Sequence, residues 1–255
     1  MNILSGSCRV LYVMALLLCM TGCATEPAQT YSEPQRVFPE LKKPPSDPHA
    51  VVNVYDPLEP FNRSMYNFNA RFDRYVFLPV LRGYEFITPD IAQTGVTNFF
   101  NNLREVNNLI NNVLQGEVID SSVTFGRFLI NSTVGVLGVW DPATKMGLFV
   151  REEDFGQTLG KWGVGSGPYL VLPLFGPSSV RDASGLAFDY ASNYQVDLLD
   201  LDDANRDAVR FSVTALQSID ERQANKFRYY ETGSPFEYEL IRYMYTQMRD
   251  IEVEK

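Results

Sequence analysis

Histidine and cysteine are almost absent from this 255-residue sequence. His49 is the only histidine, and the three cysteines, Cys8, Cys19 and Cys23, all lie within the first 23 residues. A Ser-His-Asp triad, a Cys-His pair and an HExxH zinc helix each need a histidine on a rigid element, and a structural zinc ion needs several Cys or His ligands. GxSxG and GxxxxGK[ST] motifs are also missing. We therefore expect no catalytic residue, no metal site and no cofactor.

Positive charge and long apolar runs are scarce as well. The chain has 22 Lys and Arg against 31 Asp and Glu, a formal net charge of −9, and no basic block. Such a chain repels a phosphate backbone, so nucleic acid is excluded as a partner. Beyond the amino-terminal segment, the longest apolar candidates, 134–140 and 169–175, have seven residues each. They are too short to span a bilayer.

The amino terminus has the pattern of a signal peptide. Residues 1–22 contain one charged side chain, Arg9, followed by an apolar run from 11 to 20. A run of this length suits the apolar part of a signal peptide. The Met-Thr-Gly sequence directly before Cys23 resembles a bacterial lipobox, in which the cysteine becomes the first mature residue and is acylated. The alternative is an ordinary secretory signal with a cysteine at its end.

Lipidation of Cys23 is the interpretation that fits the cysteine content. Cleavage before Cys23 leaves it as the sole cysteine, and two or more acyl chains make a stable anchor. Ala24 follows, whereas resemblance to sorted lipoproteins associates aspartate there with retention in the inner membrane. We therefore expect anchoring in the outer membrane, on its periplasmic side. The predicted organisation is a signal peptide (1–22), the lipidated cysteine with a proline-rich tether (23–52), a helical core (53–198) and C-terminal helices (199–255).

The folded part begins with a helix-start pattern. Asp56-Pro57-Leu58-Glu59 predicts a capping box with Asp56 as the cap, and Pro79 predicts the end of this first helix. Apolar residues at spacings of three and four form one stripe along it: Leu58, Phe61, Met65, Phe68, Phe72 and Val76. Internal packing and exposure at a membrane surface remain alternatives for these side chains.

The next predicted helix starts at Thr88-Pro89-Asp90 and ends at Gly116. It contains seven asparagines between positions 98 and 112. Asparagine is a mediocre helix former, so this concentration needs a reason. Two alternatives remain open: a solvated face with local caps, or a polar but uncharged wall past which polar headgroups move.

Further helices are predicted by periodicity and caps. They cover 120–133, 154–162, a segment from Ser178 or Ser179 through Tyr190, a segment around 208–216, and a final helix after a capping box at Ser234-Pro235-Phe236-Glu237. Residues 169–175 are expected to form a strand or a buried extended segment. The predicted fold class is therefore mainly α, with six to eight helices and little or no sheet.

The combined motifs resemble the MlaA (VacJ) family of outer-membrane lipoproteins. The resemblance rests on three blocks in family order: Asp56-Pro57-Leu58-Glu59-Pro60-Phe61-Asn62-Arg63, Phe125-Gly126-Arg127-Phe128 with Asn131 to Gly135, and Glu153 to Gly160 continuing through Trp162 and Tyr169 to Ser178. Together the blocks cover roughly residues 53–190. The tether and the stretch beyond about residue 198 carry no such signature.

The resemblance implies a ring-shaped single helical domain in the inner leaflet of the outer membrane, with a central amphipathic channel. Such a protein associates with a trimeric porin, withdraws glycerophospholipids from the outer leaflet and passes them to the periplasmic carrier MlaC, without catalysis. The alternatives are a scaffold or envelope tether that transports nothing, and a phospholipid hydrolase. Arg63, Arg127 and Arg181 are expected to pair with Asp73, Asp154 or Asp182 inside the fold.

Two sets of residues are candidates for contact with lipid. The glycine-rich turn is expected to line the lipid path through Gly163, Gly165, Ser166, Gly167 and Tyr169, because glycine lets backbone approach a ligand closely. A tight turn between helix and strand is the alternative. The first helix is expected to face the membrane through Phe61, Asn62, Met65, Phe68 and Phe72.

Overall fold

The computed structural model describes residues 54–195, 203–231 and 234–255. The predicted signal peptide, Cys23 and the tether lie outside the described residues. The elements in chain order are α1 (Glu59–Phe72), a π-helical segment (Asp73–Phe77), α2 (Leu78–Ile87), α3 (Asp90–Gln115), α4 (Val118–Thr133), α5 (Pro142–Lys145), α6 (Phe155–Lys161), β1 (Tyr169–Leu172), β2 (Gly176–Ser179), α7 (Val180–Gln195), α8 (Asp203–Ala224) and α9 (Glu237–Glu254). The prediction of a mainly α fold with little sheet is confirmed.

The start of α1 is held by long-range contacts and not by the predicted capping box. Leu58 occupies the cap position and makes no side-chain hydrogen bond there. Asp56 instead accepts hydrogen bonds from Asn62 Nδ2 at 2.7 Å, Tyr238 Oη at 2.6 Å and Arg242 Nη1 at 2.9 Å. The capping prediction was wrong because the Asp56 carboxylate is used to join α1 to α9.

Pro79 does not end the first helix. The chain passes from α1 through the π-helical segment into α2, with Pro79 in the first turn of α2. In the π-helical segment the Leu78 N–H bonds to the Asp73 carbonyl, five residues earlier. A proline removes one helical donor and crowds the preceding turn. The wider π turn before Pro79 supplies the room, so the helix continues.

The long helices α3 and α4 form an antiparallel pair joined at Gly116, which adopts a left-handed conformation with φ 79°. Asn102, Asn108, Asn111 and Asn112 are buried, so the solvated-face alternative is wrong for them. They bind neighbouring helices and segments: Asn102 donates to Ser132 Oγ, Asn112 donates to Thr124 Oγ1, and Asn111 accepts from Thr158 Oγ1. The asparagines therefore form a polar wall inside the helical packing.

The apolar core of the described part is small and rich in tyrosine. It comprises Tyr66, Tyr169, Val171 and Tyr238. The Tyr66 ring meets the Tyr238 ring edge-on, with centroids 5.8 Å apart. Strand β1, which carries Tyr169 and Val171, pairs antiparallel with β2, with Tyr169 opposite Ser179 and Leu172 opposite Gly176. The core thus joins α1, the two-stranded hairpin and α9.

Three arginines from the last quarter of the chain bind aspartates of the preceding segments. Arg222 binds Asp73 through two hydrogen bonds, Arg242 binds Asp56, and Arg249 binds both Asp154 and Asp182. These pairs replace most of the expected ones. Arg181 does pair with Asp182, but Arg63 pairs with Glu59 and Glu239, and Arg127 pairs with Glu105 and Asp141.

The starts of α7 and α9 differ in how they are stabilised. Ser179 Oγ accepts a hydrogen bond from the Asp182 N–H at 3.1 Å and so caps α7, as predicted. At α9 the cap position is Phe236 and not the predicted Ser234, whose Oγ accepts a hydrogen bond from the Phe236 N–H at 3.2 Å. Glu237, the glutamate of the predicted capping box, is buried and accepts hydrogen bonds from Tyr66 Oη at 2.7 Å and from the Tyr230 N–H at 2.5 Å. The start of α9 is therefore tied to α1 by a tertiary contact.

Candidate functional site

The described part of the molecule places polar side chains inside and many large apolar ones outside. Its buried residues comprise seven hydrophobic and 23 polar or charged side chains. Phe86 is 92% exposed, and Ile87, Ile91, Val118 and Ile119 are each more than three quarters exposed. Exposed apolar surface on this scale marks contact with a membrane or a partner. None of the described helices combines the length and the apolar content needed to cross a bilayer.

A first cavity, here called the polar cavity, lies between the glycine-rich turn and α9 and has a volume of about 250 Å³. It unites three of the five predicted path residues, Ser166, Gly167 and Tyr169, whereas Gly163 and Gly165 are not part of its lining. Its other lining residues are Val54, Tyr55, Ser179, Asp182, Tyr243, Tyr245, Thr246, Gln247, Arg249 and Asp250. Hydroxyl, carboxyl and guanidinium groups therefore share the lining of this cavity with apolar surface.

The glycines of the turn have different roles. Gly163 and Gly167 adopt φ angles of 90° and 70°, which residues with a side chain rarely accept. Gly165 has no such angle, and a Cβ atom added there would meet nothing within 4 Å. The turn thus requires glycine at Gly163 and Gly167 for its backbone conformation, while Gly165 stands in open space.

A network of charges closes the inner side of the polar cavity. Asp182 accepts hydrogen bonds from Arg249 Nη2 at 2.9 Å, Arg181 Nε at 3.0 Å and Tyr245 Oη at 2.7 Å. Burial raises the pKa of Asp182, but Arg249 and these donors outweigh it and hold that pKa below its ordinary value. Burial also raises the pKa of Tyr169, whose hydroxyl is buried without a hydrogen-bond partner in the described protein.

A second cavity, here called the aromatic cavity, also measures about 250 Å³. It lies among the π-helical segment, the hairpin turn, the end of α8 and α9. Most of its lining is apolar, but one side carries the Asp73–Arg222 ion pair. Its lining residues are Asn69, Phe72, Asp73, Phe77, Leu174, Phe175, Gly176, Pro177, Arg222, Asn225, Phe227, Tyr229 and Ile241.

The two cavities border opposite ends of the β1–β2 hairpin. Tyr169 and Ser179, which face each other at the open end, line the polar cavity, and the turn residues from Leu174 to Pro177 line the aromatic cavity. At about 3.4 Å per residue, four-residue strands separate these ends by roughly 10 Å. The hairpin turn is held by Asn69, which donates to the Leu172 carbonyl at 2.9 Å and accepts from the Leu174 N–H at 2.8 Å.

The predicted membrane-facing residues of α1 divide into two groups. Phe61 and Phe68 are 48% and 45% exposed, while Met65 and Phe72 are partly buried. Asn62 is fully buried, so its assignment to the membrane face was wrong. Its side chain donates to Asp56 and to the Tyr169 carbonyl and accepts from the Val171 N–H at 2.8 Å. Asn62 is a clamp between α1 and β1.

The three C-terminal arginines that bind aspartates, Arg222, Arg242 and Arg249, were missed by sequence analysis. They lie in the segment that carries no motif, so no local pattern identifies them. The one signal in the sequence that could have pointed to these arginines was the presence of aspartates in the motif blocks, which need cationic partners when they are buried. Among the described residues, no group of three or more His, Cys, Asp or Glu side chains is arranged to hold a metal ion.

Comparisons with known proteins agree on one family. The sequence profile of the MlaA lipoprotein family matches residues 54–252. The intermembrane phospholipid transport system lipoprotein MlaA of Escherichia coli K12 is 40% identical over 134 residues, which are 51% of this chain and 53% of that protein. A Rickettsia conorii protein is 34% identical over 186 residues, 72% of each chain.

A solved structure described as "Structural basis for maintenance of bacterial outer membrane lipid asymmetry" resembles this chain with a TM-score of 0.63 and 30% identity, over 78% of this chain and 98% of that one. The chain spans little more than half the length of most curated relatives that it matches. The profile match, however, covers nearly the whole described part. This chain therefore belongs to the MlaA lipoprotein family.

Proposed function

We propose that this protein is an outer-membrane lipoprotein that removes mislocalised glycerophospholipids from the outer leaflet and passes them towards the periplasm. The observation that carries the proposal is the distribution of side chains: buried polar groups inside and large exposed apolar groups outside. A phospholipid needs a polar route for its head and an apolar route for its tails, because moving a charged head through hydrocarbon is expensive. The relative from Escherichia coli is named for phospholipid transport, which supports the same function here.

The proposed route is an amphipathic channel in a ring-shaped helical domain lying in the inner leaflet. The polar cavity supports a route for the head, since Ser166, Asp182 and Arg249 line it beside Gly167. The exposed apolar side chains of α1 and of the α2–α3 junction supply the surface that enters the leaflet. The buried asparagines between α3 and its neighbours, together with the paired charges of Glu105 and Arg127, provide a polar interior.

The proposal includes an anchor and partners. Acylation of Cys23 fixes the protein to the outer membrane on its periplasmic side, a trimeric porin accompanies it there, and the periplasmic carrier MlaC receives the lipid. The protein itself performs no catalysis, since moving a lipid between environments breaks no covalent bond. The resemblance to the family supports each of these partners, and the single thiol of the processed chain supports the anchor.

The proposal is tested by deleting the gene and restoring it with variants. Phosphatidylethanolamine in the outer leaflet is measured with a membrane-impermeant, amine-reactive dye. Deletion of the gene should increase labelling of outer-leaflet phosphatidylethanolamine. Expression of the parent protein should lower the labelling again to the level before deletion. Ser166→Trp, which fills the polar cavity, should restore poorly, whereas Val164→Trp, at an exposed position outside that cavity, should restore fully. Equal restoration by both variants would contradict the proposed route.

Two further measurements separate the alternatives. Mass spectrometry of lipids that co-purify with the full lipoprotein should detect glycerophospholipid; a protein free of lipid that still restores the envelope would favour a scaffold. Labelled liposomes should release no fatty acid, and steady release would favour a hydrolase.

The lipid anchor is tested separately. Cys23→Ser should move the protein out of the outer-membrane fraction, and normal fractionation of this variant would contradict the anchor.

A further inference from the structure

We infer that the aromatic cavity binds a single acyl chain of an amphiphile. This inference rests on the proposed function, and it assigns a tail-binding site separate from the polar cavity. Six apolar side chains form its wall: Phe72, Phe77, Leu174, Phe175, Phe227 and Ile241. Ligand sites are typically concave and mostly apolar, with a few polar groups that orient the ligand.

The charged side of this cavity is already neutralised. Arg222 donates to both carboxylate oxygens of Asp73, from Nε at 2.5 Å and from Nη2 at 2.9 Å. It also donates to the backbone carbonyls of Asn225 and Phe227. Four hydrogen bonds engage the guanidinium group, and its charge is balanced by Asp73. A free phosphate or a metal ion would therefore gain little here, and selection of the ligand falls to the apolar wall.

An aromatic row leads from the exposed surface of α1 to the cavity. Phe68, which is half exposed, stacks on Phe72 with ring centroids 6.1 Å apart. Phe72 in turn meets Phe77 edge-on at 5.2 Å, and both of these rings line the cavity. The apolar surface predicted to contact the leaflet is therefore continuous with the cavity wall. This continuity identifies an acyl chain from the leaflet as the occupant.

The hairpin turn that lines the cavity is strained. Leu174 has a φ of 70°, a left-handed conformation that is unfavourable for a residue with a side chain. Leu174 and Phe175 are nevertheless at least half exposed to solvent, so burial does not compensate for the strain. The two hydrogen bonds of Asn69 with the Leu172 carbonyl and the Leu174 N–H hold the turn in place. The turn thus presents two exposed apolar side chains in the cavity lining, where an acyl chain would cover them.

The inference is tested by photo-cross-linking on the full lipoprotein in detergent micelles. Two probes are used: palmitic acid, and a phosphatidylethanolamine, each with a diazirine near the end of its acyl chain. Mass spectrometry should place the cross-links on peptides that contain Phe72, Phe77, Phe227 or Ile241. Competition with unlabelled palmitate or unlabelled phosphatidylethanolamine identifies whether a free fatty acid or a phospholipid tail is preferred. Labelling spread evenly over the exposed apolar surface around Phe86 would overturn the inference.

Cavity-filling variants give a second, independent readout. Ile241→Trp should reduce cross-linking about tenfold, equivalent to about 1.4 kcal/mol of binding free energy. Leu240→Trp, the adjacent and exposed position on α9, is the matched control and should leave it unchanged. Leu174→Trp fills the cavity from a half-exposed lining position and serves if Ile241→Trp does not fold. Unchanged labelling in a folded filling variant would overturn the inference.

Failure of this site and failure of the proposed function are distinguishable. If the protein restores lipid asymmetry in cells but shows no enriched cross-link in the aromatic cavity, the site is wrong and the proposed function stands. If cross-links map to the cavity but deletion of the gene leaves outer-leaflet phosphatidylethanolamine unchanged, the site stands and the proposed function is wrong.

Discussion

Arg127 donates its Nε hydrogen to Glu105 at 2.5 Å, and both side chains are only 1% exposed between α4 and α3. Arg127 also donates to Thr144 Oγ1 at 2.9 Å and to Asp141 at 3.2 Å. Burial raises the pKa of Glu105, and the charge and hydrogen bond of Arg127 oppose that effect. A family motif residue therefore acts inside the fold, joining α3, α4 and α5.

Replacing Arg127 should strongly destabilise the protein. Arg127→Met leaves Glu105 buried without its partner, and breaking such a pair costs about 3–5 kcal/mol. The double variant Arg127→Met, Glu105→Leu should recover part of this loss, because no unpaired charge is left. Unfolding is followed by circular dichroism in detergent micelles. Arg151→Met, at an exposed pair with Asp120, is the control and should cost less than about 1 kcal/mol. Equal losses in the two single variants would contradict the role of Arg127.

Asn62 provides a second test of a buried polar contact. Asn62→Ala leaves the Val171 N–H and the Tyr169 carbonyl without a side-chain partner. Each orphaned buried group costs roughly 1–3 kcal/mol, so we expect a loss of about 3 kcal/mol. The nearby exposed position Ser64 gives a control, Ser64→Ala, which should lie within about 0.5 kcal/mol of the parent. A stable Asn62→Ala protein would show that the amide clamp between α1 and β1 is dispensable.

Replacement by alanine should lower the stability of the protein at Gly135 but not at Gly165. A Cβ atom on Gly135 would lie 2.3 Å from the Trp140 carbonyl oxygen and 2.4 Å from the Asn131 carbonyl oxygen. Because backbone atoms cannot move aside cheaply, Gly135→Ala should cost at least about 1–3 kcal/mol in thermal unfolding. Gly165→Ala meets open space and should be nearly neutral. A measurable loss for Gly165→Ala would place that glycine in a contact that the described residues do not show.

Local patterns predicted most of the helices, because caps, glycines and periodicity act over a few residues. They did not predict α2 or α5, and the described residues form nine α-helices where six to eight were expected. The beginning of α3, its end at Gly116 and the serine cap of α7 all follow from such short-range chemistry. Of the two alternatives for residues 169–175, a strand or a buried extended segment, the structure has a strand, which ends at Leu172. Of the predicted lipid path, the structure brings Ser166, Gly167 and Tyr169 into one cavity.

Side-chain contacts between segments far apart in the sequence could not be predicted from local patterns. Asp56 and Glu237 both have capping patterns, yet each is bound by side chains from distant segments. A cap contributes about 1 kcal/mol, and several charge-assisted bonds in a buried site outweigh it. Asn62 was misplaced for the same reason: helical periodicity gives its position on α1, but it does not show which strand packs there.

Arg249 makes the attachment of α9 dependent on pH. It donates to Asp154 at 2.8 and 2.9 Å and to Asp182 at 2.9 Å. Burial raises the pKa of each aspartate, but Arg249 more than offsets it, so both pKa values lie below the ordinary value in the folded protein. A carboxyl group with a lowered folded pKa stabilises the fold above its unfolded pKa, about 3.9, and loses this contribution as the pH falls towards the folded value.

Arg249→Gln should therefore have its largest effect at neutral pH. Removing the cation leaves two aspartates poorly compensated, and at pH 7 we expect a loss of roughly 3 kcal/mol. As the pH falls, the two aspartates become protonated in the folded variant first and in the folded parent only below their ordinary pKa, so the difference between the two stability curves should shrink. The measurement is urea unfolding in micelles between neutral and acidic pH. A loss that stays constant over this range would show that Arg249 stabilises α9 by packing and not through its charge.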